Sequence, residues 1–196
     1  MSEFDWRNLL TQWSAKILQS GMFDQELPPD VIASGWLGYP GATAAQIAQA
    51  EARLGQQLPP SYRAFLLVSN GWRITGSFID RLWSTEEIEW FRVRHQHDWI
   101  DAWITGARSQ GPLIPISDRD YFVYGSAQSV LNIRLEYLQT ALEVSEVGDS
   151  AIYLLNPQVV TAAGEWEAWF FASWLPGANR YRSFWEMMQK EYEQFR

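Results

Sequence analysis

Gly35-Trp36-Leu37-Gly38-Tyr39-Pro40-Gly41-Ala42-Thr43 opens a stretch that passes through Leu54-Gly55 and Leu58-Pro59-Pro60-Ser61-Tyr62 and closes at Asn70-Gly71. Each boundary in it carries a physical marker. Thr43 is placed to cap a helix, and Gln46 three residues on completes a capping box. Ile47, Ala50 and Leu54 then share one helical face. Gly55 suits the left-handed residue that closes such a helix. Pro60 fits only the first turn of a second helix. Tyr62, Phe65, Leu66 and Leu67 form its apolar stripe, which stops at the turn dipeptide Asn70-Gly71. The stretch therefore predicts a helical hairpin with a short Leu-Pro-Pro hinge.

Outward from the hairpin, Trp6, Leu9, Leu10, Trp13 and Ile17 recur at helical spacing, and Gly21 follows. Residues 1–34 are expected to be a helical extension packed on a main domain of residues 35–196, being too short for a core of their own. Downstream, strands are expected at Trp72–Ile79, Leu113–Ser117, Tyr121–Gly125, Ala151–Pro157 and Trp166–Ala172. The fourth should end at its proline. Ser84 with Glu87 reads as a capped helical turn, and Trp99–Ile104 as a short helix. Leu131–Leu142 fits helix or strand equally. Trp174–Arg180 reads as a loop, and Ser183 with Glu186 boxes the start of a last helix. Helices, then strands, then a helix predict an α+β fold: the hairpin and terminal helices on one face of a mixed, mostly antiparallel sheet. The other face is expected to stay open for a partner.

The 196 residues include no Cys, which excludes disulfides, thiolate chemistry and Cys-based metal sites. No apolar run has the length of a membrane span, and Met1-Ser2-Glu3-Phe4-Asp5 lacks a basic leader. A cytoplasmic protein without membrane contact is expected. The net charge of −8 argues against nucleic-acid binding and toward a basic partner.

Further motifs carry a family resemblance. Ala48-Gln49-Ala50-Glu51-Ala52-Arg53-Leu54-Gly55, then Leu58-Pro59-Pro60-Ser61-Tyr62-Arg63-Ala64-Phe65-Leu66, then Ser69-Asn70-Gly71, resembles the signature of the SUKH superfamily. Asn156-Pro157, Gly164-Glu165-Trp166-Glu167 and the closing helix extend the likeness more weakly. That superfamily holds a yeast cell-wall assembly regulator and many bacterial immunity proteins. The resemblance implies a non-enzymatic protein that binds and neutralises a cognate toxin, often a nuclease. The alternative it implies is a regulatory scaffold or adaptor of the yeast type. It supplies no catalytic residue and no cofactor.

The residues themselves agree with a binding role. Phosphate loops, dinucleotide fingerprints and nucleophile elbows are absent from the sequence. His95 and His97 would share a side of a strand, yet no further His exists to complete a metal site. Asp118 and Asp120 read as a solvated turn. Glu86-Glu87 and Glu165/Glu167 have nothing that fixes a catalytic separation. No Lys or Arg stands between Arg134 and Arg180, while acids are frequent there. Glu146, Asp149, Glu165 and Glu167, with Trp166 and Trp169 exposed beside them, are therefore the expected partner-binding set: acids for encounter, aromatics for retention. The protein is expected to act as a monomer or weak dimer. Twelve Trp residues leave carbohydrate binding as a third class, to be judged by Trp fluorescence.

Overall fold

The computed structural model describes residues 4–23, 27–109, 111–112 and 114–195. Helix α1 spans Trp6–Ser20, capped by Asp5 and closed by left-handed Gly21. A short α2 covers Pro29–Ser34. The hairpin follows as α3 (Ala44–Leu54) and α4 (Pro60–Val68). Both halves of the Thr43/Gln46 capping box form, and Gly55 closes α3 at φ 67°.

The sheet has five antiparallel strands in the order β1 (Glu89–Trp90), β2 (Leu142–Glu143), β3 (Ala151–Val160), β4 (Trp166–Ala172) and β5 (Ala178–Tyr181). Helix α5 (Phe91–His95), a π-helical turn (Gln96–Ile100) and α6 (Asp101–Ser109) follow one another directly. A short α7 (Asp118–Tyr121) and a 3-10 turn (Leu135–Gln139) lie between them and β2, and α8 (Phe184–Gln194) ends the fold.

Side chains alternate along the two long strands, and both sets are buried. Tyr153, Leu155, Trp166, Ala168 and Phe170 join α1, α3, α4 and α8 in one core. Ile152, Leu154, Trp169 and Phe171 join Phe91, Ile100, Ile133 and Leu138 in a second core on the opposite face. The hairpin and terminal helices do share one face. The open second face does not exist: residues 91–139 cover it. Trp6 and Trp13 are fully buried, so α1 is part of the first core.

Several local expectations change. Trp72 makes only isolated bridges, to Gly38 and Leu82, and residues 72–79 form no strand. Ser84 and Glu87 join in a turn without a helix. Leu113 lies outside the described residues; Ile114–Ser117 is irregular, and Tyr121, the start of the third predicted strand, ends α7 instead. Ser117 accepts from Asp120 N there, a helix cap the strand reading overlooked. Strand β3 continues past Pro157, which falls where the register with β4 shifts and no ladder donor is required. The predicted 174–180 loop contains β5, whose outer edge is closed by Val130 O and Gln128 Oε1, accepting from Ala178 N (3.1 Å) and Arg180 N (2.8 Å). Among the described residues no helix is long and apolar enough to cross a membrane.

That edge closure depends on Gly177, where an added Cβ would stand 1.8 Å from Val130 O. The obstacle is backbone, so no rotamer relieves it. Gly177→Ala is expected to destabilise the protein by about 1–3 kcal/mol. A urea unfolding midpoint unchanged from that of the parent protein would refute the closure.

Candidate functional site

Four of the six expected binding residues are interior. Trp166 is 3% exposed, Trp169 0%, Glu165 6% and Glu167 1%. The surface patch proposed for them does not form, because both faces of β4 are packed. Glu165 instead accepts from Ser61 N (2.7 Å) and Ser61 Oγ (2.5 Å), satisfying the first turn of α4, where a carboxylate also meets the positive end of the helix dipole.

Glu167 is the centre of a buried network in the second core. Its Oε2 accepts from Tyr121 OH (2.6 Å), Trp169 Nε1 (2.6 Å) and Asn156 Nδ2 (3.2 Å). Its Oε1 accepts from Tyr124 OH (2.8 Å) and pairs with Arg180 Nη1 at 3.3 Å. Arg180 also donates to the carbonyls of Tyr121 and Val123. Burial, and then the Glu167 charge, push the Tyr121 and Tyr124 hydroxyls far above the ordinary phenol range, so both stay protonated donors. The network fastens residues 118–125 to the sheet.

The other chemical candidates are similarly occupied. His95 Nδ1 faces Asp98 Oδ2 at 2.9 Å and its Nε2 faces Glu143 Oε2 at 3.4 Å. The two carboxylates lie on opposite sides of the ring and do not converge. His97 is solvent-exposed and pairs with Asp101 at 3.0 Å. Among the described residues no group of three His, Cys, Asp or Glu side chains is placed to hold a metal ion. Asp118 pairs with Arg134, and the Asp120 carboxylate accepts from Ser117 Oγ, the cap of α7, at 2.8 Å. Glu86 is held by Gln46 and Asn70, and Glu87 by Ser84 and Arg81.

One exposed aromatic surface lies at one end of the sheet. Gly148 and Ala151 exchange backbone hydrogen bonds of 3.1 and 2.7 Å around Asp149 and Ser150, which take φ 42° and 58°. This is a two-residue hairpin turn with both central residues left-handed. A Cβ on Gly148 would stand 2.6 Å from Phe78 O, so the 76–80 loop lies directly against the turn. Phe78 is 43% exposed and Trp174 49%. Their rings meet at 5.2 Å over buried Phe170, and Trp174 Nε1 donates to Asp149 O at 3.1 Å. All twelve Trp residues are described, and Trp174 alone among them is exposed.

Asp80 and Asp149 flank these rings and make no ion pair among the described residues, while Glu146 shares Arg81 with Glu87. Glu146 and Asp149 are thus the two expected residues that reach this face. Sequence reasoning missed Phe78, Asp80 and Trp174. The signal was there: Gly76-Ser77-Phe78 and Ser173-Trp174-Leu175-Pro176-Gly177 put aromatics among turn formers, where strand packing does not bury them.

Beside Phe78 opens a cleft of about 290 Å³, lined by Thr75, Gly76, Ser77, Glu191, Gln194 and Phe195 as well. Glu191 Oε2 accepts from Tyr153 OH at 2.8 Å, and Tyr181 also donates to this carboxyl. Burial pushes Glu191 up to about 7, against the lowering effect of the two hydroxyls. A larger concavity of about 590 Å³ lies on the far layer between α6 and residues 114–135. No charged side chain lines it.

Residues 41–189 match the model of the SMI1 / KNR4 family (SUKH-1). No curated protein matches the chain.

Two stability measurements follow from the buried Glu167 and the half-buried Glu191. Glu167→Gln leaves Arg180 without its counter-charge and is expected to cost about 3–5 kcal/mol in denaturant unfolding; a cost below about 1 kcal/mol would remove the network from its structural role. Glu191 has the opposite sign to a salt-bridged acid. Its folded state holds the proton up to about 7, whereas its ordinary value is 4.5, so its contribution is complete below 4.5 and lost as pH rises through 7. Between those limits the stability of Glu191→Gln relative to the parent is expected to climb by on the order of 3 kcal/mol. Parallel pH–stability curves for the two proteins would contradict this.

Proposed function

The chain belongs to the SMI1 / KNR4 family (SUKH-1), and on that premise we propose that it is a non-catalytic cytoplasmic immunity protein that binds a basic bacterial toxin and blocks it. The observation that carries this reading is the exposed Phe78–Trp174 pair beside Asp80 and Asp149. A protein that buries or half-buries its other Trp side chains places one, with a Phe against it, in solvent. Aromatic anchors of this kind supply most of the energy of a protein interface. The unpaired acids complement a basic surface, and the net charge of −8 steers such a partner in from a distance. A nuclease carries a basic substrate groove, so a protein seated there would exclude nucleic acid without any chemical step. The protein acts in this reading as a monomer or weak dimer, through the end of its sheet.

Co-expression with a toxin whose gene is found directly upstream of this one provides the test. Growth should be rescued, and the two proteins should co-purify. Trp174→Ala is expected to weaken binding by about thirtyfold, the equivalent of about 2 kcal/mol. Asp80→Lys with Asp149→Lys should slow association and flatten its salt dependence, with little effect on the fold. Failure of the parent protein both to rescue growth and to retain the toxin would end the proposal. A cell-wall defect on deletion in a toxin-free strain would point instead to the regulatory class.

A further inference from the structure

The buried and half-buried carboxylates of this protein differ in one respect. Glu143 has Arg94 at 2.9 Å, Glu167 has Arg180, and Glu165 has the first turn of α4. Glu191 makes no ion pair among the described residues. Its neighbours are neutral donors: Tyr153 from β3 and Tyr181 from β5, with Thr75 on the cleft wall. Lys16 on α1 packs over the Tyr192 and Phe195 rings at 5.0 and 5.8 Å, and its Nζ donates to Tyr192 O. It does not pair with Glu191. Glu186, the other nearby acid, acts on Tyr181 and pairs with Arg182 at 3.5 Å, away from Glu191 in its bonding.

We infer that the Glu191 cleft is a socket for a single Lys or Arg side chain presented by the basic partner. Its volume of about 290 Å³ lies at the foot of the range for small-molecule pockets, which suits one long side chain. Phe78 and Phe195 line it, and aromatic faces attract a cation as well as its aliphatic stem. An ionised carboxylate has about four acceptor positions, so two phenol donors leave room for a cationic donor. The raised proton affinity of Glu191 fits a carboxyl whose counter-charge comes from outside. Gly76 contributes width, since a Cβ there would already touch the Phe195 ring at 3.5 Å.

The inference rests on the proposed partner-binding role. Phe78 belongs both to the cleft wall and to the exposed aromatic pair, so a partner lying across that pair stands over the socket. Entry of a cation must favour ionised Glu191, and at or below neutral pH it therefore releases a proton.

The test uses the intact protein with N-acetyl-arginine methylamide and N-acetyl-lysine methylamide as probes and the neutral citrulline amide as control. Side-chain NMR follows the Glu191 carboxyl and the Phe78 and Phe195 rings. A saturating cationic amide is expected to lower the Glu191 titration midpoint by at least about one pH unit. The citrulline amide should leave it in place, and Glu191→Gln should abolish the ring shifts. Equal effects of charged and neutral amides, or no effect of either cation at tens of millimolar, would overturn the socket. The two readings fail separately. If Glu191→Gln holds the toxin as tightly as the parent and the cations do nothing, the socket is wrong and the immunity role survives. If the cations bind at Glu191 but no toxin is retained, the socket stands and the immunity role falls.

Discussion

Every residue of β4 is buried, and that constraint shapes the rest of the molecule. A strand presents successive side chains to opposite faces, so a strand with none exposed needs cover on both sides. One cover is the compact assembly of α1, α3, α4 and α8. The other is built from the helical run of residues 91–109 and the short turns of residues 114–139. Glu167 lies in the series that faces the second cover. A carboxylate there is tolerable only with full hydrogen bonding, and Tyr121, Tyr124, Asn156, Trp169 and Arg180 supply it. The far layer is therefore fastened by polar bonds as well as packed by apolar ones.

What was legible in the sequence was local. Thr43 with Gln46, Gly55, Pro60 and Ser183 each act within a turn of their own position, and each marks a boundary that the structure keeps. The α+β class followed from the order of such elements. Of the far layer only the helix at Trp99–Ile104 was legible, and it lies across the π-helical turn and α6; the short turns of residues 114–139 carry no period to read. Strand β5 was lost to Pro176-Gly177, which signals a loop, although pairing begins one residue later.

Glu165, Trp166, Glu167 and Trp169 were expected at the surface for a related reason. In Trp166-Glu167-Ala168-Trp169 the acid looked like evidence of solvent, since alternation in a half-exposed strand puts charge outside. A strand covered on both faces has no outside, and its charge must find a partner in the fold. The register contained the answer: Trp169 pairs with Arg180 across β4 and β5, which brings that cation within reach of Glu167. Only knowledge of β5 could have revealed it.

A sheet sealed on both faces leaves its ends as the places where side chains can be displayed to solvent. Loops there carry no obligation to the core and tolerate changes that a packed face would not. The end formed by residues 76–80, 148–151 and 173–177 is nevertheless not loose. The left-handed pair Asp149-Ser150 fixes the hairpin, Gly148 admits the Phe78 backbone, and Trp174 is tied to Asp149 O. Rigid aromatics lose little freedom on binding, so more of their contact energy remains as affinity. On the proposed reading the choice of partner rests on the few side chains displayed there, while Tyr62, Phe65 and Leu66 of the hairpin are buried in the first core.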